Sequence, residues 1–230
     1  MTPVVLVHGW GGSFETTWRR PGFAALLEDA GRTVLGVDLL GHGDAPKPHD
    51  PAAYADLTTR VEEALPPEPV DAVGFSLGAL TLLRLAIRRP GAFQRLVLAG
   101  IGRNVLEPDH SRAAQIAAGL QAVRDGADLG SLDQPVRIFV QYALQPGNDL
   151  SALTAVMQRA PAAAVAPDDL ARVTCPVLVV IGDRDVAAPG DPLAAAFPDG
   201  RCVTLPRVDH FRTPEDFGFV DATLEFLDAV

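Results

Sequence analysis

The feature that most constrains this chain is the passage from Val70-Asp71-Ala72-Val73 through Gly74-Phe75-Ser76-Leu77-Gly78 into Ala79-Leu80-Thr81-Leu82-Leu83-Arg84. An apolar, β-branched run reads as a buried strand, and the residues after Ser76 switch to helical spacing. Between the two lies G-x-S-x-G. A chain that turns so sharply from strand to helix forces its tip residue, here Ser76, into a strained positive-φ conformation. Glycines two before and two after leave room where a Cβ would meet the neighbouring strand or helix. The serine hydroxyl is thereby held out at the C-terminal edge of a sheet. The free N–H groups of the helix's first turn face the same point and suit an anion. Gly and Ser are also ordinary turn formers, so partners elsewhere in the chain decide whether this turn carries chemistry.

At 230 residues, 48% of them hydrophobic, the chain has core enough for one sizeable domain without staples. The formal charge of −10 argues against nucleic acid or an anionic membrane as partner, since both need basic patches. Cys175 and Cys202 sit at or just ahead of apolar runs and read as buried, reduced thiols. Met1-Thr2-Pro3 leads straight into Val4–Val7, a run too short for a signal-peptide core or a membrane span, so a cytoplasmic protein is expected.

Strand-like runs recur at Val4–Val7, Thr33–Val37, Val70–Val73, Leu96–Ala99, Val177–Ile181 and Cys202–Leu205. Helical periodicity fills most of the gaps. Phe23, Leu26 and Leu27 share a face between Trp18 and Ala30, with Gly31 as the stop. Asp50-Pro51 opens a helix whose face carries Tyr54, Leu57, Val61 and Leu65, and Pro66-Pro67 ends it. Leu77 to Arg89 is closed by Pro90-Gly91. Phe217, Val220, Leu224 and Leu227 are expected to form the core stripe of a last helix over 214–229. The alternation predicts an α/β architecture: a doubly wound, mostly parallel sheet of about six strands with helices on both faces. Residues 101–172 break the rhythm. They are alanine-rich, with helical stretches near 112–124, 131–144 and 150–160 and an ambiguous Val136–Tyr142. This segment is expected to be a helical cap inserted after the fourth strand, over a core formed by 1–100 and 173–230.

His8-Gly9-Trp10-Gly11-Gly12 follows the first strand directly. Its glycines bring backbone close to a ligand, and the N–H of Trp10 is placed to be one anion donor, that of Leu77 the other. Two fixed donors matter because acyl transfer develops negative charge on a carbonyl oxygen. After the cap, Pro176–Gly182 leads into Asp183-Arg184-Asp185. A carboxylate at a strand end can hold an imidazole in its working tautomer. Asp185, further into the loop, is the candidate, while Asp183 is expected to cap the turn or pair with Arg184. Only His210, in Val208-Asp209-His210-Phe211, lies after both serine and acid. His8 and His42 are expected to order their own loops, and His49 and His110 to be solvated loop residues.

The order Ser76, Asp185, His210 matches one arrangement of this chemistry. With all these pieces in place the chain resembles the α/β-hydrolase superfamily over essentially its whole length. The resemblance is carried by His8-Gly9-Trp10-Gly11, Asp38-x-x-Gly41-His42-Gly43, Gly74-Phe75-Ser76-Leu77-Gly78, Gly182-x-x-Asp185 and Asp209-His210-Phe211. Capped carboxylesterases and carbon–carbon bond hydrolases are the most similar branches, and the His-Gly-Trp-Gly turn is similar to that of bacterial esterases that demethylate acyl-carrier-bound esters. Two departures stand out. The family commonly has two further strands before the His-Gly strand, and without them its strand order puts Thr33–Val37 at an edge, a possible dimer contact or a strand needing cover. Asp209 stands where the family usually has glycine, so a second carboxylate either perturbs the imidazole or points to solvent.

These residues imply a serine hydrolase working through an acyl-enzyme, with Ser76, His210 and Asp185 as catalytic residues and the Trp10 and Leu77 N–H groups as oxyanion donors. No residues are spaced as metal ligands, so neither metal nor organic cofactor is expected. Trp10, Phe75 and Phe211 with the alanine-rich cap suggest an apolar pocket for a small ester. A carbon–carbon bond hydrolase of a diketone acid is the alternative, favoured by a buried arginine facing Ser76, for which Arg103 and Arg112 are candidates. A non-catalytic small-molecule binder on the same fold is the third reading.

Overall fold

The apolar runs assemble into one sheet in the computed structural model, which describes residues 2–230; the side chain of His110 lies outside the described residues. The strands are β1 (Val4–Val7), β2 (Val34–Val37), β3 (Val70–Phe75), β4 (Phe93–Ala99), β5 (Val177–Gly182) and β6 (Gly200–Leu205). All pairings are parallel, in the order β2-β1-β3-β4-β5-β6. The helices are α1 (Phe23–Asp29), α2 (Thr58–Ala64), α3 (Leu77–Arg88), α4 (Arg103–Leu106), α5 (His110–Arg124), α6 (Gln134–Ala143), α7 (Leu150–Gln158), α8 (Pro167–Ala171), α9 (Asp191–Ala194) and α10 (Phe217–Phe226). Helices α4 to α8 follow one another between β4 and β5 with no strand among them.

The two-residue period of a strand divides the core. Val4 and Leu6 of β1 face a layer built on α1 and α10, where the rings of Trp18, Phe23 and Phe219 meet at 5.4–5.9 Å. Val5 and Val7 face the other layer, with Leu82, Leu83 and Leu85 of α3. The sheet is therefore doubly wound, and β2 is an edge strand, as the family's strand order without its two further strands implied. Phe14 packs on the face of that strand at Gly36, where a Cβ would lie 2.4 Å from the phenyl ring.

Several helices depart from the sequence periodicity. The stretch from Trp18 to Ala30 is not continuous: a π-turn spans Glu15–Arg19, and α1 starts only after Pro21 and Gly22, whose φ of +98° cannot continue a helix. Ala24 takes the inward position and Leu26 is exposed. Asp50 caps only a 3-10 turn over Pro51–Tyr54, and α2 restarts at Thr58, whose N–H donates to Asp56 (2.8 Å). Val136–Tyr142 is helical, inside α6. In the last helix Phe219 and Thr223, with Leu227 at its C-cap, are fully buried and Val220 and Leu224 pack half-buried against the same layer, whereas Phe217 is 84% exposed. The Asp216 side chain accepts the Gly218 N–H (2.9 Å), which starts the helix there and turns Phe217 outward. His110 begins α5 rather than lying in a loop.

Candidate active site

Ser76 joins β3 to α3 with φ +50° and ψ −110°, a conformation that only an over-determined backbone sustains. Its N–H donates to Ala99 O at the end of β4 (2.8 Å), and its carbonyl accepts the first helical bond from Leu80 (2.9 Å). A Cβ on Gly78 would lie 2.3 Å from Val7 O and 2.5 Å from His8 O, and one on Gly74 would lie 2.7 Å from the backbone of Ala79. The two glycines let α3 press against β1 and β3, and that pressure presents the serine at the sheet's C-terminal edge.

Asp185 and His210 arrive from the ends of the last two strands, β5 and β6. Gly182 ends β5 against Val208 O, only 2.1 Å from where a Cβ would stand, so the β5 and β6 loops cross in contact. Asp183 fastens that crossing: its Oδ1 accepts the Arg207 N–H at 2.7 Å, at a turn where Arg207 has φ +64°. It caps the turn and has no hydrogen bond to the imidazole. Asp185 is buried instead, with Oδ1 accepting the Ala187 N–H (2.8 Å) and Oδ2 2.8 Å from His210 Nδ1. An ionised carboxylate only accepts, so the proton sits on Nδ1, and His210 Nε2 is left to accept from Ser76 Oγ at 2.9 Å. Three residues spread over 134 positions thus form one hydrogen-bonded line. Asp209 is exposed and accepts the Arg212 N–H (3.1 Å), capping the turn that follows the histidine.

The loop after β1 reaches the same point from the other side. Gly11 has φ +76°, and the Gly12 N–H donates to Gly9 O (3.1 Å), closing the turn that carries Trp10. The Trp10 N–H donates to no protein acceptor among the described residues, and Leu77, as first residue of α3, has no intrahelical acceptor. His8 underpins this loop. It is fully buried, receives the Leu39 N–H on Nε2 (3.1 Å) and donates from Nδ1 to Gly9 O (2.7 Å), and burial holds its pKa down. His42 donates from Nδ1 to Leu40 O (3.0 Å), while exposed His49 reaches across to Asp149 at the start of α7 (3.0 Å).

Residues without a sequence signature complete the site. Phe139 of α6 stands 5.9 Å from the His210 ring, 5.0 Å from Phe211 and 6.3 Å from Trp10. Tyr142 stacks on Phe211 at 4.7 Å and closes over Gly11. Asn148 donates to Gly11 O (2.9 Å) and Ala143 O (3.2 Å), tying the loop to the end of α6. Phe75 is buried and packs under His210, 5.1 Å ring to ring, with Gly9 and Gly100 shaped around it. A cavity of about 1000 Å³ opens beside Leu77. Its wall includes Leu77, Leu80, Val105 and Met157, together with Arg84, Arg103, Arg112 and Arg159; Trp10, Phe75 and Phe211 are not part of it. The cavity is therefore less apolar than the sequence suggested.

A parallel sheet with a serine on a strained strand–helix turn, met by a histidine and an aspartate from later strand ends, defines one class of fold and site, and the chain belongs to the alpha/beta hydrolase fold family, whose model matches residues 2–127. It is a hydrolase. The chain is similar to the pimeloyl-[acyl-carrier protein] methyl ester esterase of Neisseria meningitidis, at 30% identity over 90% of this chain and 85% of the relative. The enzyme of the same name from Chromobacterium violaceum is 28% identical over 98% of this chain and 94% of its own. Among solved structures, the enol-lactonase of Burkholderia xenovorans LB400 superposes with a TM-score of 0.69 at 24% identity, covering 99% of this chain and 92% of that one, which is a likeness of fold. Among the described residues no helix is long and apolar enough to cross a membrane.

Proposed function

We propose that this chain is a serine carboxylesterase acting through an acyl-enzyme, and the observation that carries the reading is the hydrogen-bonded line Asp185–His210–Ser76. His210 Nε2 takes the hydroxyl proton as Ser76 Oγ attacks the ester carbonyl. The developing oxyanion is received by the N–H groups of Trp10 and Leu77. His210 then gives its proton to the leaving alcohol, and a water enters along the same path to release the acid and restore Ser76. Asp185 stays ionised and holds the imidazole in register. Residues 101–172 act as a cap on the core: Phe139 and Tyr142 roof the histidine and the loop after β1. The ester chemistry named for the two esterase relatives supports the same reading.

The arginines of the cavity wall favour one second reading, a carbon–carbon bond hydrolase for a diketone acid, whose carboxylate they would receive. A fluorophosphonate probe read by intact mass tests the nucleophile. One adduct on the wild type and none on Ser76→Ala is expected, with kcat on a p-nitrophenyl ester lower by about 10⁴–10⁶ in the variant. An unlabelled wild-type protein would leave a binder with a hydrolase fold. Turnover of a meta-cleavage diketone at a rate above that of any ester would select the second reading.

A further inference from the structure

Beneath the 101–172 helices the cavity starts at Leu77 and follows α3 past Leu80 and Thr81 to Arg84. These positions are one, four, five and eight residues beyond Ser76, so they lie on one helix face, and Arg84 stands about 12 Å of helix away from the serine. Arg159, at the end of α7, lines the same space. Both guanidinium groups are partly withdrawn from water, and neither has a carboxylate at ion-pair distance among the described residues. Arg84 donates to Ala163 O (3.1 Å) and Arg159 to Val156 O, backbone partners that leave the charge unanswered. Burial, with the positive charge of Arg84 as a second cause, lowers the pKa of Arg159.

The other charges on this wall are already matched. Arg103 lies 4.0 Å from Glu107, Arg112 lies 3.8 Å from Asp109, and Asp56 accepts from Arg88 (2.7 Å). Even so, Nη1 of Arg112 is buried with no hydrogen-bond partner. A chain with 29 acidic and 19 basic residues has no shortage of carboxylates to place here. Two half-buried guanidinium groups that line one hollow, which reaches Leu77 next to the serine, and that lack a carboxylate partner are placed to receive an anion together. Their planar forks match a carboxylate better than a single ammonium would.

Building on the carboxylesterase reading, we infer that Arg84 and Arg159 form an anion subsite at the far end of the acyl channel, and that the preferred substrates are half-esters whose acyl chain ends in a carboxylate. The apolar run of Leu77 and Leu80 carries the methylenes, and the two arginines fix the chain's length and direction.

The test compares mono-p-nitrophenyl esters of the dicarboxylic acids from glutaric to suberic with p-nitrophenyl alkanoates of equal length. At one length or more the acid-bearing ester should have a kcat/KM about 10- to 100-fold above its neutral counterpart, through KM. Arg84→Gln and Arg159→Gln should each lower that ratio about tenfold, and Arg159→Lys should keep part of it. Arg172→Gln, outside the cavity, should leave the ratio where it was. Equal kcat/KM for acid and neutral esters at every length, or a preference untouched by either arginine variant, overturns the subsite while ester hydrolysis stands. Failure to hydrolyse both series, with Ser76 unlabelled by fluorophosphonate, removes the carboxylesterase reading and the subsite with it.

Discussion

The indole N–H of Trp10 donates to the carbonyl of Leu153 across 3.2 Å, so the loop after β1 is tied to α7, 143 residues further on. In the proposed mechanism the backbone of Trp10 serves the oxyanion, while its side chain ties the loop to the helical segment. Backbone and side chain therefore have separable effects. Trp10→Phe removes the indole donor and keeps the peptide N–H, so turnover of a small ester should fall less than about tenfold, with a stability loss of about 1 kcal/mol. The preference between short and long acyl chains should shift more than kcat on the shortest. Steady-state kinetics across an ester series and a urea titration measure both; a collapse of kcat comparable to that of Ser76→Ala would contradict the separation.

Two aspartates two residues apart face different tasks. Asp185 is buried against His210, whereas Asp183 is spent on the Arg207 N–H and the crossing of the β5 and β6 loops. Asp185→Asn should lower kcat by about 10⁴, because an amide can donate to Nδ1 and favour the wrong tautomer. Asp183→Asn keeps an acceptor at the same place and should cost less than about tenfold, seen mainly as a lower unfolding midpoint. Measuring kcat on one activated ester for both variants decides the assignment, and the reverse ranking would transfer the role to Asp183.

The parts of this molecule that a linear reading reaches are those where backbone geometry dictates residue type. Gly74, Ser76 and Gly78 announce themselves because a Cβ at either flanking position would strike backbone. The central strands β1, β3 and β5 are legible because both faces of the sheet are covered there, which makes their runs largely apolar. Phe139, Tyr142, Asn148, Arg84 and Arg159 were silent, since each acts through a tertiary contact that ordinary helical spacing does not mark. The broken helices are a different matter. Pro21-Gly22 delays α1 and the Asp216 cap sets Phe217 outside the core, and apolar spacing taken alone weighs neither.

Far from the site, Arg32 and Asp71 form a buried pair at the opposite end of the sheet. Arg32 also donates to Thr2 O (2.8 Å) and Leu227 O (2.6 Å), so one guanidinium joins the start of β1, the start of β3 and the end of α10. Arg95 stands 3.8 Å from the same carboxylate and reaches on to Asp228. Arg32→Ala strips a buried carboxylate and two carbonyls of their partner and should cost about 3–5 kcal/mol. Arg32→Ala/Asp71→Ala together should cost less than the sum, because no unpaired charge then remains. Urea unfolding of the two single variants and the double gives the cycle; additive losses would mean that the pair is not coupled.

The final prediction concerns acid. His8 and His42 are both fully buried with rings 5.1 Å apart. Burial and the neighbouring His8 push the pKa of His42 from 6.5 down to about 3, and burial lowers that of His8 as well. In the unfolded chain both titrate near 6.5. Between that value and the depressed folded values the unfolded state binds protons that the folded state refuses. The stability contributed by the neutral pair is therefore complete above pH 6.5 and is lost as pH falls. Each histidine supplies a slope of up to about 1.4 kcal/mol per pH unit inside the window. From pH 7.5 to 5.0 the titration of His42 alone should account for about 2 kcal/mol of the unfolding free energy that the wild type loses, and His42→Gln should lose that much less. Urea titrations at the two pH values read this directly, and identical losses in wild type and variant would show that His42 does not titrate with unfolding.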